Sequence, residues 1–179
     1  MQIVIINGMP RAGKDQFVQF CQKHTTWCEN LSTVDFVKQI ATQCGWDGTK
    51  TSKNREFLSD LKDLLTQWGD IPFEDVKRRA TLFNANAISY DFSTDEVIVF
   101  VHCREPQEIA KFVREMNAIT LLIRREAIEN NKQSNHADAE VFNYNYDYIV
   151  ENNGTLEELE ESAVTFLREV FQGKDLIIH

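Results

Sequence analysis

Apolar residues in this chain fall into two alternating patterns: short unbroken runs, and longer stretches where they recur every three or four positions. Ile3, Val4, Ile5 and Ile6 form the first run. A run without polar alternation predicts a strand covered on both faces of its sheet. Lys14 to Lys23 then sets Phe17, Phe20 and Cys21 on one side of a helix. Glu29 to Thr33 is a short second strand, and Val34, Val37, Ile40, Ala41 and Cys44 return to the helical period. The stretch GWDGTKTSKN, residues 45–54, breaks the pattern and is expected to be a loop. Helical spacing resumes with Phe57, Leu58, Leu61, Leu64, Leu65 and Trp68. Pro72 suits the first turn of a further helix, whose apolar side is Phe73, Val76, Ala80, Phe83 and Ala87.

The run from Glu96 to His102 is the clearest central strand after the first. Pro106 opens a helix carrying Ile109, Phe112, Val113 and Met116, and Ala118 to Ile123 is a fourth strand. Asn131 to Glu140 is polar. Tyr146 to Val150 is a fifth strand, followed by a turn at Asn153-Gly154. Thr155 and Glu158 have capping-box spacing for a last helix that buries Leu156, Leu159, Ala163, Phe166, Leu167 and Val170. The terminal QGKDLIIH reads equally as an added strand or a tail. Strands separated by crossover helices imply an α/β fold with a mostly parallel sheet and helices on both faces. Such sheets bind ligands beyond the carboxyl ends of their strands. With 179 residues, no repeat and no linker, the chain is expected to be a single domain.

Charge narrows the class of partner. The net charge of -9 disfavours a long basic track for extended nucleic acid, but a few Arg and Lys can still concentrate charge around a small phosphorylated molecule. The opening MQIVIINGMP has neither a basic leader nor a long apolar stretch, and Val97 to Val101 is too short for a bilayer. A cytoplasmic protein without membrane partners is the default expectation. The four cysteines, Cys21, Cys28, Cys44 and Cys103, form no CxxC pair and are expected to be free, mostly buried thiols.

The chemistry begins directly behind the first strand. Gly8-Met9-Pro10-Arg11-Ala12-Gly13-Lys14 matches GxxxxGK. In such a loop, successive backbone N–H groups turn inward onto phosphate. Gly13 keeps side-chain bulk out of the close approach, and the helix start adds unpaired N–H groups and a positive dipole end. The candidate nucleotide cradle is Gly8, Arg11, Ala12, Gly13, Lys14, Asp15 and Gln16, with Lys14 reaching the β- and γ-phosphates. Asp15 stands where Ser or Thr would offer Mg²⁺ a hydroxyl. Its carboxylate is a hard oxygen ligand, so ATP binding is expected to depend strongly on Mg²⁺.

GMPRAGKDQFV resembles the loop of P-loop kinases whose motif ends in GKD, a variant of viral-type deoxynucleoside monophosphate kinases and animal-type phosphomevalonate kinases. LSTVDFVKQIATQCGWD (residues 31–47), VIVFVHCREPQEI (97–109) and HADAEVFNYNYDYIVENNGTLEELE (136–160) are similar to later segments of those enzymes. The resemblance implies a three-layer P-loop NTPase fold with a mostly parallel, five-stranded sheet and helices on both faces. It also implies an inserted helical acceptor region near 50–90 and a lid near 124–140. It further implies ATP with Mg²⁺ as cofactors and a monomer or homodimer. Lys14 and the loop would hold ATP, and Asp35 and Lys38 would lie near the acceptor. Arg104 would bind the acceptor phosphate or bridge the substrates, and Arg124 and Arg125 would begin the lid. His102 stands near the place of a usual carboxylate, and EAIENNKQSNHADAE has Lys132 as its sole Lys or Arg.

The chemically distinct alternatives stay open at this level. Arg104 has an ion pair with Glu105 or Glu108 as its plain alternative; Asp35 has a helix-terminal carboxylate; Arg124 and Arg125 have a solvated helix start. Arg55 in KTSKNRE and the strand-end His102 are weaker candidates. Tyr90, Phe92, Trp68 and Tyr144 are aromatic enough to stack on a base but fall among apolar repeats. The leading expectation is ATP-dependent phosphoryl transfer to a nucleoside or deoxynucleoside monophosphate. A phosphomevalonate-type acceptor and a non-catalytic ATP-binding regulator are the alternatives.

Overall fold

A computed structural model describes residues 1–93, 97–129 and 140–171. The strands are β1 (Gln2–Asn7), β2 (Trp27–Ser32), β3 (Val97–His102), β4 (Ile119–Arg124) and β5 (Tyr148–Glu151). They form one sheet in the order β2-β3-β1-β4-β5, and every pairing is parallel. The helices are α1 (Lys14–His24), α2 (Asp35–Gln43), α3 (Ser52–Gly69), α4 (Ile71–Ser89), α5 (Pro106–Met116), the short α6 (Glu126–Glu129) and α7 (Leu156–Val170). The expected three-layer α/β fold is what the chain adopts.

Both faces of the central strands are buried, which is why their sequences carry no polar alternation. Val4 and Ile6 of β1 join Ile98, Phe100, Leu121 and Ile123 under α1 and α7, where Phe17 and Phe166 close the layer. Ile3 and Ile5 face the other way with Val97, Val99 and Val101, under Phe73, Val76 and Ala80 of α4 and Ile109 and Phe112 of α5. Phe73 and Phe112 meet at a ring separation of 4.7 Å.

Several element ends moved. Thr51 caps α3 by accepting from the Asn54 N–H, so the helix begins at Ser52, inside the stretch expected to be a loop. The period of α3 is as expected, yet none of its residues is fully buried. Leu64 is 62% and Trp68 84% exposed; α3 packs mainly on α2 and α4. The capping box of α7 forms as its spacing predicts. Leu156 is nevertheless 60% exposed. Glu96, residues 131–139 of the polar stretch, and the terminal QGKDLIIH lie outside the described residues.

Phe100 lies at the centre of one layer, with rings 6.4 Å from Phe17 and 6.1 Å from Phe166. Phe100→Ala is expected to cost about 3–5 kcal/mol through lost transfer energy and the cavity left behind. Urea unfolding measures this, and a loss below about 1 kcal/mol would show that this layer is not tightly packed.

Candidate active site

The parallel order sends the ends of β2, β3, β1 and β4 to the same edge of the sheet. Register places Ile6 of β1 beside His102 of β3, His102 beside Ser32 of β2, and Asn7 beside Leu122 of β4. The glycine-rich loop leaves β1 at the middle of this edge.

Two glycines are required by close approach. Gly8 has φ +147°, and a β-carbon there would strike the backbone carbonyl of Ile123. Gly13 has φ +101°, and a β-carbon there would strike the side-chain amide of Asn152. Arg11 also adopts a left-handed backbone, φ 68°, with its side chain exposed. Ala12 is fully buried, and its N–H donates to the Met9 carbonyl at 3.1 Å. The Lys14 ammonium folds over the loop and donates to the carbonyls of Gly8 at 2.6 Å and Met9 at 2.9 Å. Phe17 N–H closes the first helical bond on the Gly13 carbonyl at 2.9 Å. The amides of Lys14, Asp15 and Gln16 therefore belong to the unclosed first turn.

Two buried amide side chains hold the loop from below. Asn7 accepts the Gly8 N–H at 2.8 Å and donates to the Tyr146 hydroxyl at 2.8 Å; that hydroxyl donates to the Val141 carbonyl at 2.8 Å. Burial pushes the Tyr146 phenol up to about 12, which keeps it a proton donor at neutral pH. Asn152 donates to the Ala12 carbonyl at 2.8 Å, and its own N–H donates to the Arg124 carbonyl at 2.7 Å. Neither asparagine was a sequence candidate. Asn7 merges into the strand, and Asn152 sits one residue before the recognised Asn-Gly turn.

His102 is where the candidates converge. Its Nε2 lies 3.6 Å from Asp15 Oδ1, within reach of an ion pair but too far for a hydrogen bond, and has no hydrogen-bond partner among the described residues. Burial lowers its pKa most; Asp15 and Asp35 oppose this, while Lys14 and Arg104 add to it. Lys14, Asp15, Asp35 and Arg104 thus all act electrostatically on one partly buried imidazole. Arg104 itself is exposed.

Asp35 Oδ2 accepts the Ser32 N–H at 2.9 Å and a guanidinium N–H of Arg79 at 3.0 Å. The helix-terminal alternative for Asp35 is therefore present, together with an unexpected cation. Lys38, expected near the acceptor with Asp35, is exposed. Glu108, a possible partner for Arg104, receives Lys62 at 2.8 Å and the Cys103 thiol at 3.0 Å on the same oxygen. Arg124 pairs with Glu151 at 3.2 Å and lies 5.7 Å from the Phe142 ring; Arg125 beside it is exposed. Residues 130–139 of the expected lid, including Lys132 and His136, lie outside the described residues.

The aromatic candidates lie elsewhere. Tyr90 and Phe92 pack on Trp27, at the opposite end of β2 from Ser32, with ring separations of 5.9 and 5.6 Å. Tyr144 packs on Tyr146 at 5.3 Å. The cysteines are free, as expected, although Cys44 is exposed.

The depressed pKa of His102 has a stability consequence. The unfolded chain binds a proton near the ordinary value of 6.5, the folded protein only at lower pH. Stability present above that value falls as pH drops through 6.5 toward the folded pKa. His102→Gln is therefore expected to flatten the fall in melting temperature between about pH 7 and pH 5. Identical pH slopes for the two proteins would remove His102 from the acid response.

The fold recurs among solved small-molecule kinases. A sugar kinase from Janibacter sp. HTCC2649 aligns over 99% of this chain and 96% of its own, at 17% identity and a TM-score of 0.52. A shikimate kinase from Aquifex aeolicus aligns over 97% of this chain and 100% of its own, at 10% identity and a TM-score of 0.55. A dephospho-CoA kinase from Campylobacter jejuni aligns over 96% and 98%, at 13% identity and a TM-score of 0.51. No family model matches the chain, and no curated protein matches it in sequence. What the chain shares with these enzymes is the three-layer fold of the P-loop kinases.

Proposed function

We propose that this chain is an ATP-dependent phosphotransferase whose acceptor is a small phosphorylated molecule, foremost a nucleoside or deoxynucleoside monophosphate. The main support is the GxxxxGK loop itself: Lys14 is drawn onto the Gly8 and Met9 carbonyls at 2.6 and 2.9 Å, at the end of the central strand. The kinds of molecule named for the similar folds, a sugar, shikimate and dephospho-CoA, fit a small-molecule acceptor in general.

The residues fit Mg-ATP. A nucleotide-bound Mg²⁺ needs only one or two carboxylates, with phosphate oxygens and waters completing its shell. Asp15, with its side chain 85% exposed, offers one carboxylate; Asp35 follows β2, whose last residue Ser32 lies beside His102. Among the described residues no three His, Cys, Asp or Glu side chains form an all-protein metal site, and this chemistry does not need one. With ATP bound, Mg²⁺ would neutralise charge on the transferring phosphoryl group.

In this reading the loop amides and Lys14 bind and orient the nucleotide phosphates. Neutral His102 adds bulk without charge beside Asp15. Arg104 bridges donor and acceptor. Helices α3 and α4 form the acceptor side, and Arg124 and Arg125 begin a lid whose closure excludes water. The acceptor and lid assignments rest on the resemblance of the sequence to GKD-loop kinases. His102 favours a second reading, a nucleotide-binding regulator without turnover, because an imidazole is a poor Mg²⁺ ligand where a carboxylate would serve.

The test is ADP formation from Mg-ATP against ribo- and deoxyribonucleoside monophosphates and phosphomevalonate, with a no-acceptor control. One acceptor is expected to raise the rate well above the control. Lys14→Ala is expected to lower that rate about 100-fold or more. A flat panel with intact ATP binding would overturn the kinase reading in favour of the regulator.

A further inference from the structure

Arg79 belongs to none of the motifs that point to a nucleotide site. It lies on α4 within the ordinary helical sequence KRR, residues 77–79. Its guanidinium nevertheless reaches Asp35 on α2 at 3.0 Å, and its side chain is 31% exposed. The far side of the same cluster is anchored. Asp75, one helical turn before Arg79, is 8% exposed, binds Arg78 at 2.6 Å and lies 3.9 Å from Arg79.

The line of charge continues inward. Asp35 accepts the N–H of Ser32, which lies beside His102 in the β2–β3 register, and His102 lies 3.6 Å from Asp15 at the mouth of the glycine-rich loop. Arg79 is therefore the outer cation of a chain that ends at the phosphate loop. Among the described residues its ion pairs run through Nη1. A guanidinium presents five N–H donors in a rigid fork, so it has further donors to offer a ligand.

Electrostatics makes this cation necessary for one class of acceptor. A bare Asp35 carboxylate would repel an incoming phosphate or carboxylate. Arg79 offsets that charge, and a guanidinium already placed by the Asp35 carboxylate at 3.0 Å loses less freedom on binding an oxyanion.

Resting on the phosphotransferase reading, we propose that Arg79 determines acceptor specificity. It is a cation held by Asp35 at 3.0 Å, with the Asp75 carboxylate 3.9 Å away, that offsets the Asp35 charge and is shared with the anionic group of the acceptor when one binds. The class selected is a small molecule bearing phosphate or carboxylate beside its reacting oxygen. Neutral alcohols gain nothing from Arg79. No bond is made or broken at this residue; its contribution is charge and position.

The experiment compares wild type with Arg79→Ala, Arg79→Lys and Asp75→Asn. Calorimetry measures binding of deoxynucleoside and ribonucleoside monophosphates, phosphomevalonate and the matching unphosphorylated nucleosides, and turnover is followed in parallel. Melting temperatures report folding, and Arg79→Lys retains the charge if Arg79→Ala does not fold. Arg79→Ala is expected to weaken monophosphate binding and raise the acceptor KM about 10- to 100-fold. Nucleoside binding and the ATP KM should change less than about 2-fold. Arg79→Lys should recover part of the loss, and Asp75→Asn should fall between.

A purely structural Asp35–Arg79 tie would instead lower stability without separating charged from neutral ligands. Equal monophosphate affinity in wild type and in folded Arg79 variants overturns the proposal, whatever the turnover. Wild-type binding that is lost in Arg79→Ala, with no turnover on any acceptor, supports Arg79 and overturns the kinase reading. A wild type that binds neither a monophosphate nor phosphomevalonate overturns the Arg79 proposal, and one that also turns over no acceptor overturns the kinase reading as well.

Discussion

The loop at the end of β1 is held in shape by two buried amides, and the rest of the site depends on that restraint. A glycine-rich segment is entropically the most expensive backbone to order. Asn7 fixes its first N–H and Asn152 fixes the Ala12 carbonyl before the helix begins. Both are at most 9% exposed, so their hydrogen bonds are shielded from competing water. Asn152 comes from the far end of the chain. The loop geometry thus requires β5 and α7 to be in place, and local folding of the first residues is insufficient.

Around this loop the charges are close to balanced, although the chain as a whole carries -9. Lys14 and Arg104 oppose Asp15 and Asp35 across His102, and Arg79 and Arg78 answer Asp35 and Asp75. The half-buried imidazole stays neutral more readily than a free one. It lies 3.6 Å from the Asp15 carboxylate without adding a further charge. Excess acidity elsewhere on the surface leaves this local balance intact, since exposed charges are screened within about 10 Å at 0.1 M salt.

The helix α3 follows different rules from the sheet-covering helices. Its apolar period is as regular as theirs, but its support is α2 and α4, with Lys62 joined to the Glu108 carboxylate of α5. Glu108 also receives the Cys103 thiol and the Thr33 hydroxyl, so one side chain ties the α3 side of the molecule to the ends of β2 and β3. The position of α3 therefore depends more on polar contacts than on buried area.

The sequence by itself determined the elements and the loop. Unbroken apolar runs can only be strands covered on both faces, the helical stripes follow a local period, and GxxxxGK with its bounding strand and helix is a contiguous signal. The capping box at Thr155 is equally local, and it formed. The start of α3 was missed because Thr51 as a cap lies within a run of loop-like residues, and the exposure of Leu64, Trp68 and Leu156 was missed because periodicity says which residues share a face, not what the face meets. Only the tertiary structure brought Asn152 to Ala12, His102 to Asp15 and Arg79 to Asp35. Those pairs are 140, 87 and 44 residues apart. Their meeting follows from the order β2-β3-β1-β4-β5, in which crossover helices carry distant strand ends to one edge, and no local pattern of residues encodes that order.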